Sequence, residues 1–184
     1  RDKDIIKFSY SDLKLEIPRE RLYREAFEFL ELLEKNLILH DLRFSLASID
    51  HLCFRVNSDH NYMHYKAVFS NFADLIQESE VGARMISVFK LHSPIIYKNA
   101  NIDIIELPAP KEKSGYALGY EHAEFVVSDS FEHIQAIYPS LDFDTKALGK
   151  PLNSDLRIKF NDGSSIKLHH SSLEEVISHE KKGF

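Results

Sequence analysis

The residues with most capacity for chemistry in this sequence are histidines and acids set in two similar contexts. Ile49-Asp50-His51-Leu52-Cys53-Phe54-Arg55-Val56 lies over Tyr120-Glu121-His122-Ala123-Glu124-Phe125-Val126-Val127. Both read acid, His, two residues, Phe, one residue, Val, and both are followed by polar residues suited to cap a helix. Read as strands with a period of two, the first puts His51, Cys53 and Arg55 on one face, and Leu52, Phe54 and Val56 on the other. The second sets His122, Glu124 and Val126 against Ala123, Phe125 and Val127. The apolar faces suit packing against helices, so the histidine faces are left to line a concave surface. If the two units pair about an approximate twofold axis, His51 and His122 meet. Two imidazoles beside a carboxylate form an open site for a divalent cation, with positions left for water and substrate.

Two further strand-like runs reach that surface. Glu106 ends the run Asn101–Leu107, on the face of Ile102 and Ile104, and a carboxylate there is costly unless it is solvated, paired or ligated. In Ser165–His170, Ser165, Lys167 and His169 share a face. The candidate cluster is therefore His51, Glu106, His122 and one of Lys167 or His169, with Arg55 and Glu124 beside it. Each has a plainer reading. A strand histidine is often merely hydrogen-bonded, Glu106 can pair with Lys167 or Arg55, and His169 can cap the segment after it. Cys53 faces the same surface, but nothing marks an activated thiol, so it reads as a small packing residue. His40, His60, His64, His92, His133 and His179 read as incidental.

The elements that must position these residues are legible from periodicity. Residues 18–40 carry Leu22, Ala26, Phe29, Leu30, Leu33 and Leu37 at helical spacing, with Pro18 suited to a first turn. After the strand at 48–56, Tyr62, Tyr65, Phe69, Phe72 and Ile76 extend helical spacing over 59–77, a stripe that reads as core. Residues 84–91, 93–98 and 101–107 read as three strands, and the Pro- and Lys-containing stretch 108–115 as a linker. The second half repeats the order: strand 119–127, a short helix with Phe131, Ile134 and Tyr138, a weak strand near Leu141–Phe143, and a hairpin of 155–160 and 164–170 about Asp162-Gly163. Ser172 and Glu175 form a capping box for a last helix over 173–179.

The chain has 184 residues, enough for one core without disulfide or metal staples. Its formal net charge of −6 argues against a general nucleic-acid binder. Cys53 is the only cysteine, which fits a reducing compartment. Apolar runs fall short of a membrane span, and the opening segment RDKDIIKFSY is too charged for a signal peptide. A soluble, cytoplasmic protein, monomeric or homodimeric, is expected.

IDHLCFRV, NIDIIELPAP, YEHAEFVV and IKLHHSSLEE together resemble the vicinal oxygen chelate superfamily, which includes glyoxalase I, bleomycin-resistance proteins and extradiol dioxygenases. More closely, the chain is similar to the YecM-like family within it. The resemblance implies an α+β fold: two βαβββ modules forming a curved mixed sheet around a cavity, preceded by an amphipathic N-terminal helix. It implies a helical segment over 1–47 and a main domain over 48–184, with module one at 48–110, module two at 116–170 and a C-terminal helix at 172–180. It implies a divalent metal (Zn, Fe, Mn or Ni) on His51, Glu106 and His122. Lys167 stands where the superfamily usually has Glu, and a protonated Lys cannot ligate a cation; His169, two residues on, can serve instead. Glu124, Lys167 and Arg55 are the expected catalytic residues, Glu124 as an orienting group or base, Arg55 and Lys167 as anion holders. Two functions follow: a metal-dependent isomerase, lyase or dioxygenase acting on a small oxygenated metabolite, or a metal-free small-molecule binding protein of the bleomycin-resistance type. A weaker third reading has the N-terminal helix bind another protein.

Overall fold

The computed structural model describes residues 17–182; the charged opening segment read above lies outside them. Helix α1 (Pro18–Leu39) begins on its proline and buries Leu22, Ala26, Phe29, Leu30, Leu33 and Leu37. Its wet face carries ion pairs one turn apart, Arg24–Glu28 and Lys35–Glu31. One polar residue joins the buried stripe. Asn36 Nδ2 donates to Asp162 Oδ2 at 2.8 Å and to Ser164 Oγ at 3.2 Å, tying the helix to a turn far along the chain.

A short 3₁₀ turn (Leu46–Ser48) leads into strand β1 (Ile49–Arg55). Helix α2 (Asp59–Ser70) then starts on Ser58, whose Oγ accepts from the Asn61 N–H. The helical spacing anticipated to residue 77 stops earlier, and residues Ala73–Val81 form strand β2. Residues four apart share a face in a strand as well as in a helix, so Phe72 and Ile76 fit both periods. The Ser70 hydroxyl donates to the Lys66 carbonyl, a local bond that competes with the helix ladder at its end. Gly82 and Ala83, at φ +59° and +63°, make the tight turn into β3 (Arg84–Tyr97). The two runs anticipated at 84–91 and 93–98 are thus one strand. Pro94, which has no N–H to donate, falls where the pairing with β4 (Ala100–Pro108) shifts register between Lys90 and Ile95.

The second module comprises β5 (Gly119–Val126), α3 (Phe131–Ile137), β6 (Phe143–Asp144), β7 (Leu156–Lys159) and β8 (Ser165–His169), followed by α4 (Leu173–Lys181). All eight strands form one curved, unclosed mixed sheet in the order β2-β3-β4-β1-β5-β8-β7-β6. Each module contributes strand, helix and three strands, and the modules meet where β1 and β5 pair antiparallel. Each first strand also pairs parallel with its module's last, β1 with β4 and β5 with β8.

The apolar faces pack under α1 and α2. Phe54, Phe69, Phe89 and Phe125 are fully buried there, and Phe54 meets Phe69 and Tyr120 edge-on. The opposite face is partly covered by α4, whose Leu173 and Ile177 pack on Val88 and Ile104. No described helix is long and apolar enough to cross a membrane.

Candidate metal centre

Strand register sets the site. Two rows of residues cross the middle of the sheet. In one, Ile104, His51, Glu124 and Lys167 stand side by side on β4, β1, β5 and β8. In the other, two residues along, stand Glu106, Cys53, His122 and Ser165. Because side chains alternate along a strand, the polar members of both rows share the face opposite the helix-covered core.

Glu124 is the hub. Its carboxylate meets His51 Nε2 and, at 2.5 Å, His169 Nε2, while His122 Nε2 lies 3.7 Å away. Each imidazole is held from behind. His51 Nδ1 faces Asp50 Oδ2 at 2.7 Å, His169 Nδ1 faces the Ser154 carbonyl at 3.1 Å, and His122 Nδ1 faces Glu121 Oε1 at 3.3 Å. His51, His122, Glu124 and His169 are all buried. His122 Nε2 has no hydrogen-bond partner.

Protonation follows from these contacts. Burial alone would strip the charge from His51, but Glu124, the Asp50 hydrogen bond and Glu106 outweigh it and hold the imidazole well above its usual range. Burial would likewise raise Glu124, yet the charges of His51 and Lys167, with His122 close by and the His169 hydrogen bond, keep it well below the carboxylate norm. His122 is pushed up to about 10: burial and Lys167 oppose its charge, and Cys53 and Glu121 favour it more. Glu121 is lowered to about 2 against the effect of burial, by His122 and Arg55.

A cavity of about 330 Å³ opens over this floor, with Glu106, Glu124, Lys167 and His169 in its wall and Leu173 and Val176 of α4 at its side. His51 and His122 are buried and do not line it. Arg55 is not part of it: Arg55 Nε donates to Glu121 Oε1 at 3.1 Å and its guanidinium stacks 4.4 Å from the Tyr116 ring centre. A larger open depression, about 720 Å³, lies at the start of α2 and the linker 110–115; neither donor group described next borders it.

Among the described residues, two sets of three donors have their ligand atoms within 4.8 Å of one another: His51, Glu106 and Glu124, and Cys53, Glu106 and His122. Glu106 belongs to both. The predicted residues His51 and His122 thus fall in different sets, joined through Glu106, with Glu124 and Cys53 as the further donors. His169 touches Glu124 and belongs to neither set. Imidazole and carboxylate at this separation fit a first-row divalent ion, and His122 Nε2, which makes no hydrogen bond and has Glu124 only at 3.7 Å, is a donor in reach. Asp50, one residue before His51, is the group behind its ring, a contact that strand alternation does not predict because adjacent strand residues point to opposite faces.

The curved, unclosed sheet built from two βαβββ modules has the glyoxalase-like fold. The YecM protein family model matches residues 19–163, and the chain belongs to that family. The Escherichia coli (strain K12) protein YecM is 27% identical over 154 residues, covering 76% of this chain and 82% of that protein. An uncharacterised Haemophilus influenzae protein is 35% identical over 79 residues, 43% of this chain, and the match spans only 41% of that protein's length. Among solved structures, one described as structural-genomics protein EC4020 superposes with a TM-score of 0.73 at 24% identity, over 89% of this chain and 93% of that one. A methylmalonyl-CoA epimerase in complex with methylmalonyl-CoA and NH4+ gives a TM-score of 0.46 at 15% identity, over 70% and 96% of the two chains.

Proposed function

We propose that the protein binds a divalent metal ion around Glu106, with His51 and His122 as imidazole donors, and uses it to act on a small oxygenated metabolite in the cavity above, as an isomerase, lyase or dioxygenase. The observation that carries this reading is Glu106 itself. It lines the cavity and stands within ligand reach of both donor sets.

The site's departure from the superfamily pattern has a local remedy. Lys167 occupies the position of the usual acid, and its register partner on the adjacent strand is Glu124. Glu124 supplies, one strand inward, the second carboxylate that Lys167 cannot. A carboxylate held this far below its normal range is a weak base, so Glu124 serves as a donor and charge holder. His169 and Asp50 orient it and His51 from outside, the usual role of groups behind a ligand. A bound divalent ion supplies positive charge against negative charge developing on substrate oxygens. Lys167, in the cavity wall, attracts an anionic part of the substrate. Arg55, tied to Glu121 and stacked on Tyr116, holds that end of the strands in place.

A metal-free binding protein is the second reading. It is favoured by the way His51 and His169 already satisfy Glu124 without an ion. Metal analysis of chelator-stripped protein re-exposed to Zn2+, Fe2+, Mn2+ or Ni2+ separates the two. Stoichiometric uptake that falls in His51→Ala and His122→Ala supports the metal centre. Unchanged uptake in both variants, or none in the parent protein, overturns it.

A further inference from the structure

The two halves of the donor cluster differ in what is still free to bind. On one side, His51 and His169 each have both ring nitrogens facing acceptors. On the other, His122 is 1% exposed and its Nε2 makes no hydrogen bond, facing Glu124 only at 3.7 Å, while its Nδ1 is held by Glu121. The residue directly between His122 on β5 and Glu106 on β4 is Cys53, in register with both. Its side chain is fully buried, and the ligand atoms of Cys53, Glu106 and His122 lie within 4.8 Å of one another.

We propose that Cys53 is a metal donor beside Glu106 and His122, so that the centre includes a thiolate and is selective for Zn2+ and Co2+ over Mg2+ and Mn2+. This inference rests on the metal-centre reading above and narrows it to a ligand and a metal class. Sulfur is a soft donor that favours borderline and soft ions, whereas hard oxygen-seeking ions gain little from it. The thiol must lose its proton to ligate, and that proton passes to solvent as the ion enters. Glu106, shared with the cavity wall, gives the ion a route from the open side to the buried sulfur. Cys53 and His122 are buried, and Glu106 is the member of the set that lines the cavity.

The test is a Co2+ titration of the metal-stripped full-length protein, read by absorption. A sulfur ligand adds a near-ultraviolet charge-transfer band that rises in step with the visible bands of bound Co2+. The expected result is both sets of bands, with the near-ultraviolet band lost in Cys53→Ser and Co2+ affinity lowered roughly tenfold or more. Excess Mg2+ or Mn2+ leaves the spectrum unchanged. Visible bands without the charge-transfer band in the parent protein overturn the Cys53 assignment while leaving the metal centre standing. No Co2+ uptake overturns both. The parent spectrum decides the matter even if Cys53→Ser fails to fold.

Discussion

Asp50 Oδ2 accepts from the Leu173 N–H at 2.9 Å and faces His51 Nδ1 at 2.7 Å, so one oxygen joins the start of α4 to the imidazole of β1. Docking of the last helix and the aim of His51 are therefore one structural event. Asp50→Ala should weaken Zn2+ binding by roughly 10- to 100-fold, the usual effect of removing the group behind a metal-ligating histidine. Calorimetric titration checks the affinity, and hydrogen exchange over 173–181 should rise in the same variant. Unaltered affinity would show that His51 is aimed by its strand alone.

Metal and proton compete for the same seam. In the metal-free protein His51 is held charged well above its usual range, so its stabilising contribution is complete below about pH 6.5 and is lost as pH rises through the folded value. Ion binding runs the other way, because the imidazole must first give up its proton. The difference in Tm between Zn2+-loaded and stripped protein should widen from about pH 6 to about pH 8. Scanning calorimetry across that range checks the sign, and a constant difference would remove His51 from the ligand set.

Lys167 should act against cation binding. Its charge helps hold Glu124 ionised and disfavours a charged His122. Replacing it by an uncharged side chain of similar length, Lys167→Met, should tighten Zn2+ binding by roughly tenfold, the scale of a charge–charge term across several ångströms in a partly buried site. Competition against a chromophoric chelator measures it, and weaker binding would instead place Lys167 among the groups that build the site.

The link between α1 and the second module is polar at one point. Asn36→Leu removes the bonds to Asp162 and Ser164 and should cost roughly 1–3 kcal/mol near neutral pH. Asp162 is held below the usual carboxylate range; burial works against this, while Ser164 and Asn36 hydrogen bonds favour it. Such stability is present above the unfolded value near pH 4 and lost as pH falls through the folded one. Urea unfolding at about pH 7 and about pH 3 should therefore show the penalty shrinking in acid.

The legible part of the site was the part written in strand alternation. IDHLCFRV and YEHAEFVV land on adjacent antiparallel strands, β1 and β5, with their histidines facing the same side. The apolar stripe of α1 and the Ser172 cap also read directly, since Ser172 Oγ accepts from the Glu175 N–H. What escaped was register. Whether Glu124 faces His51 or His122 depends on how β1 and β5 slide past each other, and no local pattern states that. Strand β2 escaped for a different reason: its polar residues and the four-residue spacing of Phe72 and Ile76 mimic the end of a helix.

Because the sheet does not close on itself, it has two borders whose backbone groups lack a neighbouring strand. One border, β6, is only two residues long. The other, β2, is nine residues long and bears Asp74, Glu78 and Glu80. Acid repulsion along such a margin discourages another chain from annealing to it. These acids belong to neither donor set around His51 and His122, so neutralising Asp74 or Glu80 tests whether the edge governs self-association without touching those donors.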